Sequence, residues 1–350
     1  MIQQPTFTIT ITAADYLVKI AETVTRLECG TNFKRDIKLH RLNRVKTIHS
    51  SLAIEGNTLS LNEVADVIEG KLVAGRQAEI KEVKNAYEAY ERAMSLNPYT
   101  VNDFLKAHKL MTDGLIKESG KFRDGDVGVF NGDVAIHLGA RPRFIALLME
   151  ELFIWAKETE LHPILKSAIV HHEIEIIHPF ADGNGRMGRL WQTLILAKWN
   201  EIFMWLPMES LIYEKRPQYY KALQNSQKNN DSSDFIEFTL SAILETIELQ
   251  ARRQKKHKDE HRDEHKDEHR DDWLSDIMVS ILKSLKTKGL SRKELFNAIG
   301  MKNDFRTFRR NVEPLLINGL IEMTAPNKPN SKLQKYRLTD KGRSYILSEQ

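Results

Sequence analysis

A single cysteine, Cys29, stands in 350 residues. No disulfide can form within the chain, and a reducing compartment is the expected setting. Long apolar runs are missing too. Nothing approaches the ~20 residues that a membrane-spanning helix needs. Residues 1–12 are polar and alternating, without the basic and apolar regions of a secretory leader. A membrane partner is therefore not expected, and cytoplasmic residence is. Net charge is also scarce: 52 Lys and Arg stand against 48 Asp and Glu, a net of +4. It is unevenly spread. Residues 272–350 hold 15 basic residues against 8 acidic ones, and the remainder holds 37 against 40. The C-terminal segment thus owns the basic character, which leaves nucleic-acid contact and plain solvation both open.

What is present is an ordinary soluble composition, 41% hydrophobic and 29% charged, in a chain long enough for two or three domains. Apolar positions recur at three- and four-residue spacing over residues 13–28, 34–54, 62–69 and 78–95. Asn97-Pro98 breaks the pattern, and Thr100 or Asn102 caps the next helix, at 103–116. Residues 120–143 differ: Gly120, Gly125, Gly128, Gly132 and Gly139 punctuate Val127, Val129, Phe130, Val134 and Ile136, which predicts a hairpin or flap. Helices resume from Pro142, with a strongly apolar one at 164–177 and others at 186–200, 215–226 and 234–252.

Residues 255–272 repeat Asp-Glu-His-Arg/Lys every four positions. Opposite charges then lie within one helical turn, but no apolar face exists to join a core, so a charged spacer, helical or disordered, is expected. Its four histidines (His257, His261, His265, His269) leave weak metal binding as the secondary reading. From Trp273 the pattern is compact again. A helix to about residue 286 precedes the capping box Ser291-x-x-Glu294 and a helix ending at Gly300. A third, at 304–318, carries Pro314, where a kink is expected. Two strands follow, at 320–323 and 334–338, in the outline of a winged helix. The expected plan is mainly α: an N-terminal helical region at 1–96, a catalytic helical domain with a β-hairpin flap at 97–252, a charged linker at 253–271 and a small winged-helix domain at 272–350.

The segment that carries chemistry is His178-Pro-Phe-Ala-Asp182-Gly-Asn184-Gly-Arg186-Met-Gly-Arg189. An apolar helix ends at a histidine, a glycine-rich turn follows, and a new helix begins. A helix N-terminus offers unpaired N–H groups and a positive dipole end to an anion. Glycines let backbone approach it closely. Arg186 and Arg189 add forked donors suited to phosphate. Asp182 supplies a hard oxygen for Mg²⁺, and His178 can take a proton near neutrality. This combination suits phosphoryl or nucleotidyl transfer, where positioning and charge neutralisation supply most of the catalysis. His171, His172 and His178 do not form a metal triad, since spacings of one and six share a helix face poorly. The first two are expected as buried, hydrogen-bonded residues, and Glu175 as an anchor of the helix end.

This segment resembles the defining pattern of the Fic-domain family, His-x-Phe-x-Asp/Glu-Gly-Asn-Gly-Arg-x-x-Arg, at His178, Phe180, Asp182, Gly183, Asn184, Gly185, Arg186 and Arg189. The resemblance extends over roughly residues 34–252. It implies a protein adenylyltransferase that uses ATP as substrate with Mg²⁺. His178 would deprotonate a Ser, Thr or Tyr hydroxyl of a target protein, and the oxygen would attack the α-phosphorus. Asp182 would hold the metal. Gly183, Asn184 and Gly185 would cradle the phosphates, with Arg186 and Arg189 at their far end. Tyr219, less surely Tyr220, would line the adenine pocket. The flap, with Val129, Phe130, Asn131 and Gly132, would pair with an extended target segment.

Ser51-Leu-Ala-Ile-Glu55-Gly56 matches the family's inhibitory pattern. Glu55 would pair with Arg189 and withhold it from the γ-phosphate, and a misplacement of about 1 Å costs roughly a hundredfold in rate. Self-modification, a homodimer, AMP removal and other nucleotidyl or phosphoryl transfers stay open. So does a reading of another class, a nucleotide-sensing DNA-binding regulator. In it Arg306, Arg309 and Arg310 would enter a groove, and Lys328, Lys332, Lys335 and Arg337 would meet phosphates.

Overall fold

A computed structural model describes the chain except residues 1–3, 31–35, 127, 132–133, 267–275, 302–303, 305–306, 309–310, 326–333 and 349–350. The chain divides into two compact units, Met1–His257 and Lys258–Gln350. Among the described residues no helix is long and apolar enough to cross a membrane.

The first unit is a helical bundle. Its helices are α1 (Ile11–Gly30), α2 (Ile37–Ile54), α3 (Leu61–Ile68), α4 (Gln77–Arg92) and α5 (Val101–Thr112). After a hairpin of β1 (Gly128–Asn131) and β2 (Val134–Leu138) come α6 (Pro142–Glu158), α7 (Pro163–Ile177) and α8 (Asn184–Trp199). The last three are α9 (Met208–Glu214), α10 (Arg216–Asn229) and α11 (Ser233–Lys266). The expected hairpin is there, antiparallel, with a register shift between Val129 and Phe130. Of the two residues proposed to cap α5, Thr100 does so, accepting from the Asp103 N–H at 3.4 Å. The polar N-terminal stretch is tied down: Ser232 N–H donates to Thr6 O at 2.9 Å, and Thr8 N–H to Ser233 Oγ at 2.8 Å.

Helices α7 and α8 form the centre of this unit and are buried along most of their length, with polar side chains such as His171, Arg186, Arg189 and Gln192 among the apolar ones. Their close approach depends on Gly188. A Cβ there would stand 2.5 Å from Cδ2 of His171. Around them, α2 is anchored by two polar side chains. Asn43 Nδ2 donates to Trp205 O at 2.9 Å. The buried Arg44 guanidinium lies over the rings of Tyr90 and Trp205, beside Glu91. These contacts fix the helix whose last turn carries Ser51 and which hands over to Glu55.

Helix α11 does not stop at residue 252 but continues to Lys266, so the expected linker is helical over 253–266. The four-residue charge repeat explains this, since it gives each turn an oppositely charged neighbour.

The second unit contains α12 (Asp276–Ser284), β3 (Leu290–Ser291), α13 (Arg292–Ala298), α14 (Glu313–Ile317), β4 (Ile321–Met323), β5 (Lys335–Leu338) and α15 (Asp340–Ser348). Its antiparallel sheet has the order β3-β5-β4, and a separate core gathers around Phe296, Leu295, Leu282 and Ile281. The capping box Ser291/Glu294 opens α13 as expected. Pro314 follows a one-residue break at Val312 that has helical residues on either side. It stands in the first turn of α14, where a missing N–H costs nothing. β3 and α15 have no counterpart in the sequence expectation. Arg306, Arg309, Arg310, Lys328 and Lys332 lie outside the described residues. Lys335 and Arg337 sit on β5, and Arg337 Nε pairs with Glu322 at 2.6 Å.

Gly188→Ala should lose roughly 1–3 kcal/mol of stability by overpacking, more than the gain of at most about 1 kcal/mol in helix propensity. The control is Gly125→Ala, where an added Cβ meets nothing within 4 Å. Thermal unfolding of the two variants checks this, and a stabilised Gly188→Ala chain would contradict the packing.

Candidate active site

The loop between α7 and α8 is built from two left-handed turns. His178 ends α7 at φ 52°, ψ 60°, and its N–H still donates to Ile174 O at 3.0 Å. Gly183 precedes α8 at φ 90°. A non-glycine residue in that region carries strain and needs external support. Arg123 supplies it. Buried at 4% exposure, it donates from Nε to His178 O at 2.7 Å, from Nη1 to Gly125 O at 2.6 Å and from Nη2 to Ala140 O at 2.5 Å. Its own N–H donates to Pro179 O at 3.1 Å, and Ala140 N–H to Ile177 O at 3.1 Å. One guanidinium thus ties the loop to segments on either side of the hairpin.

His108 supports the other half. Its ring stacks on Phe180, centroids 3.6 Å apart and planes within 3°. Gly120 N–H donates to His108 Nδ1 at 3.0 Å, so Nε2 carries the proton and donates to Asp182 O at 3.1 Å. Burial pushes this imidazole down to about 4, favouring the neutral form that both hydrogen bonds need. Neither Arg123 nor His108 belongs to the loop's pattern, and the sequence reading did not single them out.

Within the loop, Asn184 spends its side chain on structure. Nδ2 donates to Phe180 O and Oδ1 accepts from Phe180 N–H, both at 2.8 Å. The first turn of α8 leaves the N–H groups of Asn184, Gly185 and Arg186 without carbonyls four residues back, as every helix start does. Asp182 is exposed. Its Oδ1 accepts from Gly183 N–H at 2.6 Å and its Oδ2 from Arg186 Nη2 at 2.9 Å.

Both arginines are buried. Among the described residues, Arg186 Nε and Nη1 and Arg189 Nη1 have no hydrogen-bond partner. Three buried donors on two cations are costly unless an anion meets them. Arg189 Nε donates to Ser51 Oγ at 3.1 Å, and its Nη2 to Ser51 O at 2.9 Å and to Glu55 Oε1 at 2.8 Å. Burial opposes this charge, yet the Glu55 carboxylate beside it leaves the guanidinium above its ordinary value. Glu55 follows α2 directly, and Gly56 turns the chain away at φ 97°. A Cβ on Gly185 would lie 2.3 Å from Glu55 Oε1, so the carboxylate overhangs the first turn of α8.

The two tyrosines of α10 part company. Tyr219 is 1% exposed, packed against Phe235 and Phe238, and its hydroxyl donates to Glu175 Oε1 at 3.1 Å. Tyr220 is 43% exposed beneath Arg216. Tyr219 thus packs into a buried cluster, while Tyr220 presents a face to solvent. His171 and His172 are buried as expected, with His171 Nδ1 2.6 Å from Gln192 Oε1. Burial resists ionisation of Glu175, but His171 at 3.7 Å and the charge of Arg189 hold it below the usual carboxylate range. It anchors the end of α7 from within this network. Val129, Phe130 and Asn131 lie on β1, and Gly132 lies outside the described residues.

His108 has a pH signature. Its folded value lies below 6.5, so its contribution is complete above pH 6.5 and is lost as pH falls toward about 4. At most roughly 3 kcal/mol is at stake. Thermal unfolding between pH 7 and 4 should fall less steeply for His108→Gln than for the native chain, and parallel slopes would refute the assignment.

Residues 98–196 match the family described as Fic/DOC, and residues 276–339 match the C-terminal domain described as Filamentation induced by cAMP protein Fic-like. A curated relative from Nematostella vectensis, named Protein adenylyltransferase Fic, is 30% identical over 212 residues, 57% of this chain and 47% of that protein. The protein of the same name from Drosophila mojavensis is 27% identical over 212 residues, 58% of this chain and 40% of that one. The chain therefore spans less than half the length of these relatives. The crystal structure of a Fic family protein from Desulfovibrio desulfuricans G20 is similar over 97% of this chain and 99% of that one, at 37% identity and a TM-score of 0.69. With that identity held across nearly the whole of both chains, this chain belongs to the Fic family.

Proposed function

We propose that the chain is a protein adenylyltransferase, moving AMP from ATP to a Ser, Thr or Tyr hydroxyl of a target protein, and that Glu55 holds it off. The observation that carries this reading is the set of three buried, unpartnered guanidinium nitrogens on Arg186 and Arg189, beside a helix N-terminus and a histidine. Those donors match a polyphosphate. The relatives' name supplies the reaction class.

In this reading, Arg186, Arg189 and the N–H groups opening α8 bind the triphosphate and orient its α-phosphorus. His178 takes the proton of the target hydroxyl. The O–P bond forms as the bond between the α-phosphorus and its bridging oxygen breaks, and pyrophosphate leaves. The strained backbone of His178 is held by Arg123, which fixes where the residue stands at the end of α7. Among the described residues the sheet of the hairpin has only two strands, and an edge of either would take an extended target segment by strand addition.

Asp182 fits a magnesium ion arriving with the nucleotide. Its side chain is 58% exposed, and such an ion takes one or two carboxylates and completes its shell with phosphate oxygens. Among the described residues no group of three or more His, Cys, Asp or Glu side chains gathers into a cage. The ion would neutralise phosphate charge there.

Glu55 acts by competition. It occupies Arg189 Nη2 and puts negative charge over the first turn of α8, where phosphate would otherwise be favoured. The triphosphate then binds with its α-phosphorus out of line, and roughly a hundredfold in rate is lost per ångström of misplacement.

Glu55→Gly should raise self-labelling from [α-³²P]ATP by about a hundredfold, and the added His178→Ala should abolish it. The mass added to the product separates AMP transfer from other nucleotidyl or phosphoryl transfers. Unchanged labelling in Glu55→Gly would remove the competition from the account.

A further inference from the structure

Each arginine of the loop makes a hydrogen-bonded ion pair, and Arg186 faces a second carboxylate besides. Arg189 makes a hydrogen-bonded ion pair with Glu55. Arg186 faces Asp182 on one side, Nη2 to Oδ2 at 2.9 Å, and on the other the carboxylate of Glu82 in α4, Nη1 to Oε1 at 3.8 Å. The second distance is too long for a hydrogen bond. Glu82 thus neutralises the buried guanidinium without satisfying it, and both Nε and Nη1 stay unpartnered. The other oxygen of Glu82 accepts from Asn57 Nδ2 at 2.7 Å. Asn57 is two residues beyond Glu55. Its neighbour Thr58 donates its N–H and its hydroxyl to Glu79 Oε1, at 3.0 and 2.9 Å. One face of α4 therefore holds the segment that follows Glu55 and reaches the loop from the other side.

We propose that Glu82 is a positioning residue that sets the affinity of the loop for phosphate, its carboxylate restraining Arg186 by charge while it tethers Asn57 by a hydrogen bond. This rests on the reading that a triphosphate seats on Arg186 and Arg189. Each arginine then faces a carboxylate from the N-terminal helices, Glu55 for Arg189 and Glu82 for Arg186, and an incoming anion works against both. The two restraints differ in kind. Glu55 must leave its hydrogen bond for the phosphate to take its place. Glu82 stays where it is, tied to Asn57, and weakens the anion by repulsion across the guanidinium. Its side chain is 27% exposed, so solvent screens part of that repulsion and the effect is moderate.

Glu82→Gln tests the idea, because the amide oxygen can still accept from Asn57 while the charge is gone. The full chain is titrated calorimetrically with inorganic tripolyphosphate and, separately, with adenosine. The measurement is made in the native and the Glu55→Gly backgrounds, with and without Glu82→Gln. Tripolyphosphate should bind roughly threefold to tenfold more tightly when Glu82 is neutralised, in both backgrounds, with adenosine unchanged. Glu82→Asp, which keeps the charge but draws it back, should show a smaller gain and serves if the Gln variant does not fold. Equal or weaker tripolyphosphate binding after neutralisation, or an equal change for adenosine, overturns the role of Glu82 alone. Absence of tripolyphosphate binding in every background overturns the nucleotide reading together with it.

Discussion

Arg189 is a fully buried cation, and the rest of the site is arranged around how its charge is met. A guanidinium removed from water needs a counter-charge and acceptors for its N–H groups, or it costs several kcal/mol. Here Ser51 supplies two oxygens and Glu55 the carboxylate, all from the end of α2, and one nitrogen is still left over. This explains why α2 is so firmly anchored upstream by Asn43 and Arg44. It also explains why Gly185 has no side chain, since a Cβ there would collide with the Glu55 carboxylate. The ion pair is a poor source of net stability by the usual balance of desolvation against attraction. In the proposed function its value lies in exclusivity, because one guanidinium cannot serve Glu55 and a phosphate equally.

The geometry of the loop follows from supports outside it. Two left-handed residues five apart, His178 and Gly183, turn the chain from α7 into α8. Phe180 fills the space between, stacked on His108, and Asn184 closes the turn on Phe180's own backbone. Arg123 then fastens the outside of the loop to both flanks of the hairpin. The same guanidinium that supports the strained histidine thus also positions the strands. A change in the hairpin base would be felt at His178 through a single side chain.

Much of this is legible in the sequence, for physical reasons that differ by element. The loop stands out because its glycines, histidine, aspartate and arginines sit within twelve residues, each with a chemical job that ordinary turns do not require. The hairpin is legible because five glycines interrupt a β-branched run. His108 and Arg123 are not, because their partners are backbone carbonyls and amides up to 74 residues away, and such contacts leave no period or motif. The burial of Tyr219 is not legible either, for a related reason. It lies on a helix with a polar composition, and only the arrival of Phe235 and Phe238 from α11 buries it. In the second unit, β3 has two residues and α15 carries few apolar positions, so neither rises above its surroundings. Pro314 reads as a kink on one long pattern, and the helical residues are interrupted at Val312, two positions before it.

The competition for Arg189 is the claim on which the functional account turns, and a structure of the Glu55→Gly chain with a non-hydrolysable ATP analogue and Mg²⁺ tests it most directly. The account predicts terminal phosphate oxygens on Arg186 and Arg189, within hydrogen-bond distance of the guanidinium nitrogens that are now unpartnered, and the α-phosphorus facing the His178 imidazole. A triphosphate seated away from the 178–189 loop, or an Arg189 that keeps its present contacts and touches no phosphate, would contradict it.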